Sequence, residues 1–216
     1  MIFVGRDAEI KQMIKAIHQE RNIIIEGIFG IGRTSLIKKI SHSLADERMF
    51  IFVDFSQTPG KMSEKIMKEL GLSRRVRKTG RKIKYKPMRY RIATAGLSVK
   101  DKPVIVLDNV GGLTPQKIIF LRNLMEEKRF QFIAIVENFM PLNDFMRLQV
   151  QLYPAETITL KYLRPEEVFS LIRLYSDKYH LYWPDTYIRK LASWAGRYPL
   201  GIIEMIRKQA AERNSK

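Results

Sequence analysis

A glycine-rich stretch between a short apolar run and a helical pattern carries the clearest chemistry in the sequence. Gly27, Gly32 and Thr34 fit the pattern G-x-x-x-x-G-[K]-[ST], with Arg33 standing where lysine is usual. In such a loop successive backbone N–H groups point at a phosphate, and the N-terminus of the following helix adds partial positive charge. An ordinary glycine-rich turn is the alternative. The pattern predicts a phosphate-binding loop made of Gly27, Ile28, Phe29, Gly30, Ile31, Gly32, Arg33, Thr34 and Ser35.

The arginine in this loop changes what the loop is expected to do. Arg33 still supplies a positive charge, but a guanidinium is long and planar whereas the ammonium of lysine is a compact point charge. A displacement of ~1 Å at a reacting group can cost ~100-fold in rate. We therefore expect the binding of a nucleotide to survive this change better than its hydrolysis.

A second acidic motif, Val104-Ile-Val-Leu-Asp108-Asn109, is an apolar run that ends in an acid. Asp108 and the Thr34 hydroxyl are predicted to hold Mg²⁺, with Asp108 usually acting through water. Where such a motif hydrolyses ATP, the next residue is normally acidic and activates the attacking water. Asn109 is an amide, which cannot take a proton near neutrality. The motif therefore predicts metal binding with a missing catalytic base.

The next apolar run also ends in polar residues, Glu137 and Asn138. Because the ends of parallel strands are neighbours, Glu137 is a candidate substitute for the water-activating acid. A carboxylate in a surface loop is the alternative for Glu137.

Apolar runs alternate with helical patterns through the first 155 residues. Continuous runs rich in Ile, Val and Phe are typical of strands buried on both faces, and these occur in parallel sheets. The predicted strands are 22–26, 49–54, 104–108, 132–136 and 157–160, and the predicted helices among them are 7–20, 34–44, 63–70 and 114–127. The sequence predicts an α/β nucleotide-binding core over 1–155 and an all-α lid over 156–216.

These motifs, in this order, resemble those of archaeal STAND-type ATPases and of the AAA+ core and lid of origin-recognition-like initiators. The resemblance covers nearly the whole chain. It rests on Phe3-Val-Gly-Arg-Asp-Ala-Glu-Ile10, on the glycine-rich stretch 23–36, on the passage 156–167, and on Tyr198-Pro-Leu200 after Gly196. Arg33 and Asn109 depart from the family pattern at both catalytic positions.

The resemblance implies a fold and a ligand. The implied fold is a P-loop NTPase with a five-stranded parallel sheet, strand order 5-1-4-3-2, and a C-terminal helical lid. The implied ligands are ATP or ADP with Mg²⁺. The resemblance also implies roles for single residues. Asn138 would take the position of the first sensor of the γ-phosphate, and the adenine would be lined by Val4, Gly5, Arg6 and Pro199. A glycine helix stop followed by a proline restart is the plainer alternative for the lid motif.

The positive charge of the chain is concentrated in one segment. The net charge is +17, and residues 73–91 contribute +10 of it without a single acid. Cations with Tyr85 and Tyr90 interleaved are suited to binding phosphates and stacking on bases. The segment predicts sequence-independent binding of nucleic acid, DNA more than RNA; a solvated loop, or a tether to an acidic protein or a membrane, is the alternative. The predicted contacts are Arg74, Arg75, Arg77, Lys78, Arg81, Lys82, Lys84, Lys86, Arg89 and Arg91.

Composition restricts the remaining classes of function. The chain has no cysteine, which excludes disulfides, thiolate zinc sites and cysteine nucleophiles. Its three histidines are too few and too scattered to suggest a histidine-based metal site. There is no signal-like start and no apolar run of about 18 residues, so the expected location is cytoplasmic with no membrane partner. A homo-oligomer or a protein partner stays open, with Arg147 as a candidate trans-acting arginine or simply part of a solvated helix face.

Three hypotheses follow for the function. The first is a nucleotide-dependent switch that binds nucleic acid and hydrolyses ATP slowly or not at all. The second is a working ATPase, a loader or motor, in which Glu137 or a partner subunit completes the site. The third is an adaptor that keeps the fold and has lost the nucleotide.

Overall fold

The computed structural model of the protein describes residues 3–72 and 102–214. The basic segment at 73–91, with all ten of its predicted nucleic-acid contacts, lies outside the described residues. Among the helices within them, none is both long and apolar enough to cross a bilayer.

A parallel sheet of five strands forms the centre of the described part of the chain. The strands are β1 (Asn22–Glu26), β2 (Phe50–Asp54), β3 (Val104–Val110), β4 (Gln131–Val136) and β5 (Ala155–Thr159). They are arranged β2-β3-β4-β1-β5, and every neighbouring pair runs parallel. This arrangement confirms the predicted sheet and its strand order.

The continuous apolar runs are explained by the two cores that sandwich the sheet. Ile24 belongs to one buried cluster, whereas its neighbours Ile23 and Ile25 belong to the other. Ile105 and Val106 alternate between the two clusters in the same way. Because successive side chains of a strand point to opposite faces, a strand covered on both sides must be apolar at every position.

Eight helices lie within the described ranges. Their bounds are α1 (Asp7–His18), α2 (Arg33–Ser43), α3 (Pro59–Glu69), α4 (Pro115–Glu126), α5 (Leu142–Gln151), α6 (Pro165–Lys178), α7 (Asp185–Trp194) and α8 (Pro199–Asn214). Helices α6 to α8 share a third buried cluster, which forms the core of the lid.

Two helices differ from the sequence-based expectation. Helix α3 begins four residues earlier than predicted, because Thr58 caps it by accepting from the Lys61 backbone N–H and proline occupies the first helical position. Helix α5 was not predicted. Leu148 is its one fully buried residue, while Leu142, Met146 and Val150 are exposed, so it lacks the buried stripe that makes a helix recognisable.

Candidate nucleotide-binding site

The phosphate loop joins the carboxyl end of β1 to the first residue of α2. Gly30 and Gly32 have φ values of 73° and 100°, in the region that residues with a Cβ rarely adopt. Gly32 is the N-cap of α2, so the loop ends directly on the positive end of the helix dipole. The glycines of the pattern are therefore required by the turn that delivers backbone N–H groups to this point.

A cavity of about 330 Å³ opens beside this loop. Its lining brings together four regions that are distant in sequence: residues 3–10 (the N-terminal box), the phosphate loop, the ends of β3 and β4, and the lid. The predicted site residues that line it are Val4, Arg6, Phe29, Gly30, Ile31, Gly32, Arg33, Thr34, Ser35, Asn109, Glu137 and Pro199.

Five residues of the predicted nucleotide and metal site do not line this cavity. Gly27 and Ile28 belong to the start of the loop, Gly5 packs under the lid, and Asp108 lies behind Thr34. Asn138 is exposed beyond the end of β4. The structure therefore places the predicted sensor residue outside the lining.

The cavity also has an apolar wall that the sequence analysis missed. It is formed by Phe3, Leu163, Leu171, Tyr175, Leu200 and Ile203. Most of these residues come from the lid, where their spacing is that of any packed helix face. An apolar wall opposite a phosphate loop is suited to the base of a nucleotide.

Thr34 and Asp108 meet as the metal prediction requires. The Thr34 hydroxyl Oγ1 lies 3.2 and 3.3 Å from the two carboxylate oxygens of Asp108. A hydroxyl and one carboxylate, with phosphate oxygens and water to complete the shell, are the oxygen ligands that Mg²⁺ uses at nucleotide sites. Within the described ranges no cluster of three or more acidic, His or Cys side chains forms a metal site of its own. These two residues fit a magnesium ion that arrives with a nucleotide.

Arg33 is buried and bound to the end of strand β4. Only 6% of its surface is exposed. One guanidinium nitrogen donates to the backbone oxygen of Val136, and Nη2 lies 2.9 Å from Oε2 of Glu137. Glu137, the candidate for the water-activating acid, is thus engaged by the arginine of the phosphate loop.

Asn109 is held by a carboxylate on the neighbouring strand. Its Nδ2 donates to Oδ1 of Asp54 over 3.2 Å, and Asp54 is the register partner of Asp108. Asn109 also has φ 61°, and its backbone N–H donates to Oδ1 of Asp108 over 3.0 Å. The side-chain amide of Asn109 therefore faces an acid at the carboxyl end of β2.

Asp54 was overlooked in the sequence, although it is an acid that ends a predicted strand. Burial raises the pKa of Asp54, but hydrogen bonds from Ser56, Asn109 and Gln57 outweigh that effect and lower the pKa to about 2. Since its ordinary value is 3.8, Asp54 is ionised throughout the neutral range. The strand ends beside Thr34 and Asp108, the candidate metal-binding pair, therefore carry a fixed negative charge.

The lid is joined to the N-terminal box through Glu167. Its carboxylate accepts the backbone N–H groups of Arg6, over 2.9 Å, and of Arg164, over 2.7 Å. A Cβ on Gly5 would lie 2.3 Å from the same carboxylate, so this close approach requires glycine. Burial raises the pKa of Glu167, but these hydrogen bonds outweigh it and leave the pKa below its ordinary value.

The lid also contacts the phosphate loop directly. The Tyr198 hydroxyl donates to the backbone oxygen of Phe29 over 2.8 Å. A Cβ on Gly30 would meet the Tyr198 hydroxyl at 2.3 Å and Leu200 at 2.8 Å. The loop and the lid thus form one continuous surface around the cavity.

Comparisons with known proteins identify the family and the fold. The family model described as an AAA domain matches residues 15–140, more than half of the chain. No similar sequence is found among curated proteins.

Three solved structures illustrate the fold. The Orc1 protein of Aeropyrum pernix, solved in complex with DNA, has a TM-score of 0.67 at 14% identity over 100% of this chain and 62% of its own. Cdc6p of Pyrobaculum aerophilum has a TM-score of 0.68 at 12% identity, over 99% and 65%. A STAND protein with a tetratricopeptide repeat sensor from Pyrococcus horikoshii has a TM-score of 0.57 at 18% identity, over 98% and 32%. The chain thus spans less than two thirds of each of these proteins.

Proposed function

The chain belongs to the AAA domain family, and we propose that it is a nucleotide-dependent switch that binds ADP or ATP with Mg²⁺ and hydrolyses ATP slowly or not at all. One observation carries the proposal. The phosphate loop opens on a cavity that offers surfaces for phosphates and for a base, while both positions needed for efficient hydrolysis are occupied by residues held in other contacts.

The binding half of the proposal rests on the loop and its surroundings. The backbone N–H groups before α2 would take the phosphates, Thr34 and Asp108 would hold Mg²⁺, and the apolar lid wall would cover the base. Mg²⁺ supplies charge neutralisation of the phosphates when bound. Lid residues both line the cavity and bond to the loop, so a bound nucleotide would bias how the lid sits on the core.

The weak hydrolysis follows from the residues at the strand ends. Asn109 has no group that takes a proton, and its amide is directed at Asp54. Glu137 is an acid of the lining, but its carboxylate is paired with Arg33. Both features reduce the activation of water without blocking the cavity.

We expect ADP and ATP each to stabilise the purified protein against thermal unfolding. At a concentration of about 100 times the Kd, a ligand that binds only the folded state adds about 2.7 kcal/mol to the free energy of unfolding. Thermal melts with Mg²⁺ and ADP, ATP or adenosine measure this, and adenosine serves as the control because it lacks the phosphates that the loop recognises. Melts unchanged by ADP and by ATP would favour an adaptor that has lost the nucleotide.

An active ATPase is the second candidate, because Glu137 lines the cavity together with Thr34 and Asn109. In that case Glu137 would leave Arg33 when ATP binds and would orient the attacking water. Rapid release of phosphate from ATP by the wild type, and its loss in Glu137→Ala, would favour an active ATPase over the switch.

We also propose that the switch binds nucleic acid non-specifically through residues 73–91. The support is the charge of +10 over these residues, together with fold similarity to a protein solved in complex with DNA.

The logarithm of affinity for duplex DNA is expected to fall linearly with the logarithm of salt concentration, because each neutralised phosphate releases counterions. Replacing Arg74, Arg75 and Arg77 with glutamine should lower that slope by up to about 0.9 for each phosphate that the variant no longer neutralises. Fluorescence anisotropy across a salt series measures the slope. Glutamine at Lys11, Lys15 and Lys39, which are exposed on α1 and α2, is the matched control. Equal slopes for both triple variants would exclude the segment as the DNA-binding surface.

A further inference from the structure

Resting on the proposed nucleotide site, we infer that the cavity is selective for a nucleoside diphosphate and disfavours a third phosphate. The observation behind this inference is the pairing of the cations that line it. Among the described residues Arg6 and Arg33 are the two arginines of the lining, and each is already in an ion pair, with Glu9 at 3.1 Å and with Glu137 at 2.9 Å. Neither arginine is available to a phosphate without giving up a carboxylate.

The second phosphate does not need these cations. Its binding surface is the row of backbone N–H groups that ends at α2, and this surface depends on the loop conformation rather than on the Arg33 side chain. The two glycines with positive φ hold that conformation. A diphosphate can therefore bind while the Arg33–Glu137 pair stays intact.

A third phosphate meets a different environment. It would extend from the loop toward the carboxyl ends of β3 and β4, where Glu137 is part of the lining. In the part of the chain that the structure describes, the cation lining this end is Arg33, and Arg33 is neutralised by Glu137. Mg²⁺ held by Thr34 and Asp108 would offset part of the added negative charge, but the carboxylate of Glu137 repels a third phosphate unless Arg33 turns away from Glu137.

Turning Arg33 away from Glu137 is unfavourable, because further contacts hold both residues of the ion pair in place. Arg33 is 6% exposed and also donates to the Val136 backbone oxygen. Glu137 is only 14% exposed at its side chain, and its backbone N–H and oxygen bond to Val110 and Met140, each over 3.0 Å. Breaking a pair of this kind leaves a poorly hydrated carboxylate without its partner. The terminal phosphate of ATP is thus in competition with Glu137 for Arg33.

The test is isothermal titration calorimetry with Mg²⁺, using ADP and a non-hydrolysable ATP analogue. The wild type is expected to bind ADP at least about tenfold more tightly than the analogue. Glu137→Gln keeps the size of the side chain and removes its charge, so that Arg33 is released to the third phosphate. This variant should bind the analogue about tenfold more tightly than the wild type does, with less than about a threefold change for ADP.

Two further variants make the result specific. Glu9→Gln neutralises the partner of the other arginine, away from the third phosphate, and should leave the ratio of the two affinities unchanged. Arg33→Gln leaves Glu137 without its cation and should weaken the analogue more than ADP, which tests the same idea if Glu137→Gln does not fold. Wild-type affinities that are equal, or tighter for the analogue, would overturn the selectivity while leaving the proposed function standing. Binding of neither nucleotide would overturn both.

Discussion

Gly32→Ala should weaken ADP binding by about 100-fold, whereas Gly71→Ala should leave it unchanged. Both glycines have a positive φ, 100° and 70°, which residues with a Cβ rarely adopt. No atom of the described residues lies within 4 Å of a Cβ added to either glycine. Each substitution should therefore cost roughly 1–2 kcal/mol of stability for the left-handed conformation. Gly32 lines the cavity and Gly71 does not, so only at Gly32 would the new methyl group enter the space proposed for the phosphates.

Calorimetric titration of ADP into both variants measures the difference, and thermal melts show whether the stability costs match. A Kd raised 100-fold corresponds to about 2.7 kcal/mol of binding free energy. Equal loss of affinity in both variants would mean that general destabilisation is responsible. Undiminished binding by Gly32→Ala would place the phosphates elsewhere and would end the case for the loop as the anion site.

Exchanging the acid and the amide at the tips of β2 and β3 should raise ATP turnover about 100-fold over the wild type. The double variant Asp54→Asn, Asn109→Glu puts a carboxylate directly after Asp108 and an amide opposite it. A positioned general base contributes about 10²–10⁴-fold in rate, and Arg33, still held by Glu137, limits the gain to the lower end.

The single variant Asn109→Glu is the informative control for this exchange. It places a second carboxylate against Asp54, whose pKa of about 2 keeps it ionised at neutral pH. The repulsion turns the new acid away from the metal-binding pair, so we expect a gain of less than about tenfold. Phosphate release at saturating ATP and Mg²⁺ measures all three proteins. Full activity in the single variant would show that Asp54 does not oppose the acid, and an inactive double variant would show that the missing base is not what limits turnover.

Features that depend on neighbouring residues can be predicted from the amino-acid sequence alone. The phosphate loop could be predicted because its geometry is made within eight consecutive residues, by glycines that permit positive φ and by the helix that follows them. The inner strands β1, β3 and β4 could be predicted because burial on both faces imposes an apolar residue at almost every position. Helix α5 could not, since its apolar residues are largely exposed and leave no periodic buried stripe.

Contacts between side chains that are distant in the chain depend on how the strands and the lid pack together. Arg33 and Glu137 are 104 residues apart in the chain, and Asn109 and Asp54 are 55 apart. The hydrogen bond between Arg6 and Glu167 spans 161 residues. Each of these residues was visible in the sequence as a charged or polar group, and several were given roles in the site on their own. Their actual partners depend on which strands are neighbours in the sheet and on where the lid packs, because a side-chain contact across strands is set by distance in space and leaves no local pattern in the chain.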